Sequence, residues 1–406
     1  MTMVSNTKST VFSALIASAA MLLPSARCAY AEAAPEQAIV GIKYLNYHDS
    51  QSGDTPQTAG MSKDRINVNA LSFMGMVPIA GKWSINATFI EDSITGASPA
   101  YHSSGYPSST PGPSTKSGAS GELRHAGDLT LTRYFSRGTL SVGTSYSQES
   151  DYISRGVSLN GTLSTEDKNT TLSLGTAFNR DTIALDKPAV DPAKYQVDTG
   201  KKKVYSGLIG VTQVLSKNDI VQLNLTYTHG HGFYSDPYKA PDLRPDHRYM
   251  YTVMTRWNHH FEGPDGTARL SYRYYSDTFG IRAHTFDAEY VQPLSKGWVV
   301  TPLVRFHSQS AADFYVPVGA AELADPSTPT PPPAGAAYYS EDQRLSAFGA
   351  FSYGLKVSKD LGRSWIADVR YEHYQQRYNW CINGHGDPGV ANFNIRDIQL
   401  GFSRKF

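Results

Sequence analysis

Hydrophobic and polar residues alternate along most of this chain. At its C-terminal end Ile398, Leu400, Phe402, Arg404 and Phe406 fall on one parity, and Asp397, Gln399, Gly401, Ser403 and Lys405 fall on the other. Period two marks a β-strand with one apolar and one polar face. Similar segments recur near 38–48, 66–79, 83–96, 122–136, 139–149, 153–166, 170–183, 203–216, 220–234, 247–261, 267–279, 281–295, 298–316, 342–358, 364–380 and 393–406, sixteen in all. Strands of soluble proteins average about five or six residues. A tilted membrane strand needs roughly 9 to 11 to cross a bilayer, and these segments are long enough.

The connections follow a pattern of their own. Tight turns stand at 80–82, 136–138, 167–169, 217–219, 263–266, 295–297 and 361–363. Between them come longer stretches at 49–65, 97–121, 184–202, 235–246, 317–341 and 381–392, with short links near 150–152 and 280 on that same side. Short periplasmic turns and longer outside loops are the habit of outer-membrane barrels. The fold predicted is all-β: one transmembrane antiparallel up-and-down β-barrel of about sixteen strands, filling 32–406. The even count places both termini on the periplasmic side.

Each face has a consistent character. On 298–316, Val300, Pro302, Val304, Phe306, Ala312 and Phe314 oppose Arg305, His307, Gln309, Asp313 and Tyr315. On 364–380, Trp365, Ala367, Val369 and Tyr371 oppose Asp368, Arg370 and Glu372. Apolar side chains outward and polar ones inward predict a wet lumen. Pro302 lacks a ladder donor, which predicts a bulge there.

Composition narrows the class. Residues 1–31 read as a cleaved secretory leader, with Lys8, the run "VFSALIASAAMLLP" and a small-x-small site ending at Ala31, rivalled by one ending at Ala33. Cys28 leaves with it, so Cys381 stands alone and no intrachain disulfide or two-cysteine metal site can form. A net charge of +1 argues against nucleic acid as partner. No later apolar run approaches the roughly 20 residues of a membrane helix, so a spanning chain must close into a barrel. The expected location is the outer membrane of a Gram-negative bacterium, with its lipid against the wall. Phe402 and Phe406 are expected at the periplasmic rim, as the assembly signal for the barrel-assembly machinery.

The charged lumen is the most informative candidate site. The first half presents small neutral groups inward, among them Ser154, Gly156, Ser158, Asn160, Gly175 and Asn179. The second half presents Arg256, Arg269, Arg273, Asp277, Asp287, Glu289, Arg305, His307, Asp313, Asp368, Arg370 and Glu372. A tight link near 280 predicts Arg273 opposite Glu289, and the 295–297 turn predicts Glu289 opposite Arg305. Asp287 and His307 would form a second pair one step further out. Either these are solvated lining or they make a solute path with one charged wall.

Other candidates are weaker. Asp92 and Gly96 in "EDSITGASP" are read either as the anchor of a loop folded into the mouth or as a plain loop-start turn, with Gly96 bending and Pro99 ending the ladder. His229 and His231 alternate on one face as metal ligands can, but that face points outward, and an interfacial rim is the favoured reading. The histidines of "NHH" (258–260) lie on opposite faces. The run "DPSTPTPPPAGAA" (325–337) reads as a stiff outer loop. No phosphate loop, zinc-protease helix or nucleophile elbow is present. No cofactor, metal or catalytic residue is expected.

Several blocks carry a resemblance: "EDSITGASP" (91–99), "SQESDYISRGVS" (147–158), "GVTQVLS" (210–216), "DPYK" (236–239), "RPDHRY" (244–249), "YRYYSDTFGIRAHT" (272–285) and "RFHSQSAADFY" (305–315). With these the chain resembles the bacterial outer-membrane family DUF3570. The resemblance implies a β-barrel, and it implies neighbours that include a flavin transferase, a thioredoxin-like protein and a small lipoprotein. It supplies no catalytic residues. The reading is a small-solute channel or uptake pore. The alternative is a scaffold or conduit for a periplasmic redox or lipoprotein partner, and an outer-membrane enzyme is not expected.

Overall fold

The computed structural model describes residues 34–52, 63–98, 117–118, 122–184, 199–236, 242–325, 330–382 and 386–406. Sixteen long strands form the wall: β1 (Ile39–Gln51), β2 (Asp64–Ile79), β3 (Trp83–Ser98), β5 (Glu122–Phe135), β6 (Gly138–Gln148), β7 (Tyr152–Ser164), β8 (Thr170–Ala184), β9 (Thr199–Val214), β10 (Asp219–Gly232), β12 (His247–Phe261), β13 (Gly266–Asp277), β14 (Arg282–Pro293), β15 (Trp298–Gln309), β17 (Phe348–Gly362), β18 (Trp365–Arg377) and β19 (Phe393–Lys405). Three two-residue strands complete the set, β4 (Ser117–Gly118) on the end of β3 and the pair β11 (Asp242–Leu243) with β16 (Tyr339–Ser340). Each wall strand is antiparallel to the next, and β1 pairs with both β2 and β19. The barrel is therefore closed, which leaves no lipid-facing edge unpaired.

The wall is inverted relative to a soluble fold. Large apolar side chains such as Val40, Phe73, Leu131, Val157, Leu174, Ile209, Leu225, Phe286, Val304 and Leu400 are exposed on the outer surface. Their neighbours along each strand point inward, because the side-chain period is two. Tight turns close one end, and they are built on the left-handed backbone that two-residue hairpins require: Ala80 with Gly81, and Lys296 with Gly297, all at positive φ. An aromatic layer sits beside those turns. Arg133 lies over Trp83 and Phe135, Lys359 over Trp298, and Arg404 over Trp365 and Phe406.

Two sequence expectations need correction. Segment 298–316 ends as a strand at Gln309, and segment 342–358 begins as one only at Phe348. Residues 310–325 and 330–347 instead contribute to a folded outer cap. Pro302 makes no bulge either. The β14–β15 ladder lapses around it and resumes in the same register, from Glu289↔Leu303 to Gln292↔Val300. A missing donor removes rungs without inserting a residue. The leader assignment at 1–31 lies outside the described residues.

Candidate functional site: the lumen wall and its outer mouth

The neutral half of the lumen is thin because glycine and asparagine face each other across strands. Gly156 opposes Asn179, and Gly175 opposes Asn160. A Cβ on Gly156 would stand 2.2 Å from the Asn179 Oδ1, and one on Gly175 would stand 2.5 Å from the Asn160 Oδ1. The amides thus lie flat over the facing backbone and take little lumen volume. Ser154 donates to Asp181 at 2.8 Å, and the same carboxylate holds the Lys202 ammonium at 3.2 Å.

Charge dominates the opposite wall, with a register different from that expected. Arg273 faces Thr285, whose hydroxyl lies 2.9 Å from His307 Nδ1. Asp287 faces Arg305 and binds its guanidinium, while Ser271 donates to the same carboxylate at 3.2 Å. Glu289 faces Arg269 on one side, with 4.0 Å between charges, and Leu303 on the other. The expected rows Arg273–Glu289–Arg305 and Asp287–His307 therefore do not form. The cause is the hairpin: Asp277 Oδ1 accepts from the backbone N–H groups of Phe279 and Ile281 and closes the turn early, so the last rung is Ser276↔Arg282. What forms instead is one line, Arg256–Ser271–Asp287–Arg305–Ser352, across five strands. Arg256 and Arg273 flank Asp287 and have no ion pair among the described residues. Further round, Arg370 pairs with Glu372 at 2.5 Å and Lys356 with Asp368 at 4.0 Å.

Two expected members of the charged lining have other duties. Asp277 is buried and binds Arg248 at 2.5 Å while accepting from the Tyr275 hydroxyl at 2.6 Å, so it is a keystone of the β13–β14 turn. Asp313 lies beyond the end of β15. Its backbone N–H bonds Phe279 at 2.8 Å and its carboxylate packs against Gly280. Both belong to the cap.

That cap has its own core. Tyr234, Phe279, Ile281, Ala312 and Leu345 are buried together, with Tyr275, Phe314 and Tyr315 against them. Beside this core Arg244 binds Asp242 at 2.7 Å and Asp342 at 2.8 Å, and Arg344 binds Asp236 at 2.7 Å and also Asp342. The Ser340 hydroxyl donates to Asp242 at 2.7 Å. Burial pushes the Asp242 carboxyl up even with Arg244 beside it. Burial works against the Arg244 charge too, but Asp242 and Asp342 hold its pKa above the ordinary value. Tyr315 ties the last connection in, donating to Asp387 at 2.6 Å, and burial beside that carboxylate raises its phenol well above normal. The Cys381 thiol is likewise pushed up by burial. The Arg244–Asp342 and Arg344–Asp236 pairs join residues about a hundred apart, and composition carries no signal for that.

The remaining candidates are placed as follows. Asp92 points inward, is fully buried and binds Arg124 at 2.7 Å, which anchors β3 to β5. Gly96 makes no bend, since β3 continues to Ser98 with Gly96 opposite Ile66. Pro99 and most of loop 97–121 lie outside the described residues, as do residues 326–329 of the proline-rich run. His229 and His231 face outward at the outer rim, as expected. The structure adds a neighbour: His247, directly opposite His231, with its Nδ1 3.1 Å from His229 Nε2. His231, Asp246 and His247 bring potential ligand atoms within 4.8 Å of one another. His259 bonds Asp219 at 2.8 Å and His260 leans on Thr267 at 3.3 Å, so the "NHH" pair is divided between two turns. Phe402 stacks on Trp365, and the Phe406 N–H bonds Ala38 at 2.9 Å, which sews the rim where the barrel closes.

Apolar outside, charged within and closed by pairing of every wall strand with its neighbours, the molecule is a β-barrel of the outer-membrane type. The chain belongs to the family described as "Protein of unknown function (DUF3570)", whose profile matches residues 12–396. No curated protein matches it. Among solved structures it is similar to the siderophore receptor PirA from Pseudomonas aeruginosa, at TM-score 0.45 and 8% identity over 89% of this chain and 61% of that one. It is also similar to a bacterial polysaccharide outer membrane secretin, at 0.47 and 10% over 90% and 98%. A BenF-like porin from Pseudomonas fluorescens Pf-5 is similar at 0.45 and 9% over 91% and 98%.

Proposed function

We propose that this barrel is a small-solute channel of the Gram-negative outer membrane, with a lumen that favours anions. One observation carries the reading: three guanidinium groups, Arg256, Arg273 and Arg305, gather around Asp287, while the other carboxylates of that wall, Glu289, Asp368 and Glu372, each have a base of their own, and the lining of β6 to β9 is mostly small and neutral. Fixed positive charge beside a wet path raises the local concentration of anions and lowers that of cations. The cap over the charged half would limit the size of what enters. The reading assigns no catalytic step and no cofactor. It is tested by reconstituting pure protein in planar bilayers and measuring conductance together with reversal potential in a salt gradient. Anion preference is expected. Conductance with cation preference overturns the charge argument. A pure barrel that does not conduct overturns the channel and favours the alternative, a scaffold or conduit for a periplasmic redox or lipoprotein partner.

A further inference from the structure

Five consecutive strands carry one basic residue each on a single line of the lipid-facing surface. Arg155 on β7 faces Arg180 on β8, Arg180 faces Lys203 on β9, Lys203 faces His231 on β10, and His231 faces His247 on β12. All five are exposed. Adjacent strands stand about 4.8 Å apart, so the line runs roughly 19 Å obliquely around the barrel. It lies near the end that carries the long connections.

Like charges directly opposite each other destabilise a sheet, so this arrangement calls for a reason. Carboxylates are close at hand in sequence but are used elsewhere. Asp181 follows Arg180 and Lys202 precedes Lys203, and these two pair with each other on the inner face at 3.2 Å. Arg155, Arg180 and Lys203 on the outer face have no carboxylate partner among the described residues. Asp246 stands at the imidazole end of the line, beside His231 and His247.

The line beneath is of different chemistry. One step toward the membrane, Val157, Phe178, Tyr205, His229 and Tyr249 face each other in turn. Phe178 and Tyr205 rings lie 4.9 Å apart, and His229 stacks on Tyr249 at 4.4 Å. Below them Leu159, Leu174 and Ile209 are exposed and apolar. Charge, then aromatic, then aliphatic is the order of a lipid: headgroup, interface, acyl chain. At the opposite rim Arg133 and Arg404 each lie over two aromatic rings, whereas on this line Arg155 lies over one, Tyr146, at 5.9 Å.

We propose that this line binds the phosphates of the phosphorylated glycolipid of the outer leaflet, with its acyl chains on the apolar band below. Guanidinium forks match phosphate oxygens, and a doubly phosphorylated headgroup relieves the repulsion along the line. The inference rests on the outer-membrane orientation of the barrel and is independent of whether the barrel conducts.

The test is titration of the detergent-purified barrel with bis-phosphorylated lipid A, counting bound lipid by native mass spectrometry. Each Arg or Lys near an anionic lipid contributes about fivefold, so Arg155→Ala/Arg180→Ala/Lys203→Ala together should weaken binding about a hundredfold. Arg133→Ala at the other rim should leave it unchanged. Heat-modifiable migration reports folding. If the triple variant does not fold, Arg180→Gln/Lys203→Gln should still give about a 25-fold loss. Binding within twofold of the parent by either folded variant overturns the proposal. So does equal binding of dephosphorylated lipid A, which would make the surface merely apolar. Displacement by equimolar inorganic phosphate would make it a free-anion site. Binding that requires Zn²⁺ and is lost on chelation would assign the surface to a cation at His231, Asp246 and His247 instead.

Discussion

The two halves of this barrel share one backbone plan and differ in what they do with polar side chains. In β6 to β9 the inward residues are mostly small and neutral, chiefly Ser, Thr, Asn and Gly with the Asp181–Lys202 pair among them, and the amides lie across glycines of the next strand. From β12 to β18 the inward residues include Arg, Asp, Glu and Lys, and most are held by ion pairs. Above that second half the connections fold into a cap with a core and a buried ion cluster. A barrel wall is satisfied by its own ladder, so its inner surface can take either composition without loss of fold. The difference is therefore available for selectivity.

The strongest way to break the comparison is at the cap. Arg244→Ala leaves Asp242 and Asp342 buried without that partner, and removing one member of a buried ion pair typically costs about 3 to 5 kcal/mol. The cap should become protease-sensitive within 310–325 and 330–347, while heat-modifiable migration of the barrel persists. An intact cap in this variant would show that its apolar core alone suffices. The same region should respond to pH. The folded-state phenol of Tyr315 is raised, so it keeps its proton where an unfolded one, with an ordinary pKa of about 10, loses it. Its contribution is complete below that value and is lost as pH rises through the alkaline range. Hydrogen exchange of the cap should accelerate above about pH 10, and Tyr315→Phe should flatten that dependence.

The seam between the halves is next in size. Phe406→Lys removes the rim ring that lies beside Arg404 where β19 meets β1. The folded, membrane-inserted fraction should fall; unchanged surface levels would remove Phe406 from the assembly signal.

Smaller effects sharpen the contrast itself. Arg256→Ala with Arg273→Ala should move the reversal potential toward cations. The unfolding midpoint should barely shift, since solvated charges contribute only about 0 to 1 kcal/mol each. Failure to fold would show that these charges are structural. On the neutral side, deletion of 100–118 should raise conductance modestly if that loop restricts the path, and no change would make it surface decoration.

Much of this was legible before the structure. The Phe402 and Phe406 parity, the sixteen segments and the alternation of tight and long connections all follow from a period of two, which is local and needs no knowledge of partners. Asp92 was readable as inward for the same reason. Its partner Arg124 was not, because pairing depends on register.

Register was the first thing only the tertiary structure decided. Moving the centre of the β13–β14 turn by two residues changes each inward partner by four, and replaced Glu289 with Thr285 opposite Arg273. That shift preserves side-chain parity, so no hydrophobic pattern opposes it. The cap was the second. Asp236, Arg244, Asp342 and Arg344 come from two connections about a hundred residues apart, and nothing periodic marks them. The line of Arg155, Arg180, Lys203, His231 and His247 was the third. Each lies on an outward parity that the sequence shows, but four ladders had to be set in register before they became neighbours. Alternation along a strand is dictated by the chain's own geometry, whereas neighbours across strands are dictated by where each turn closes.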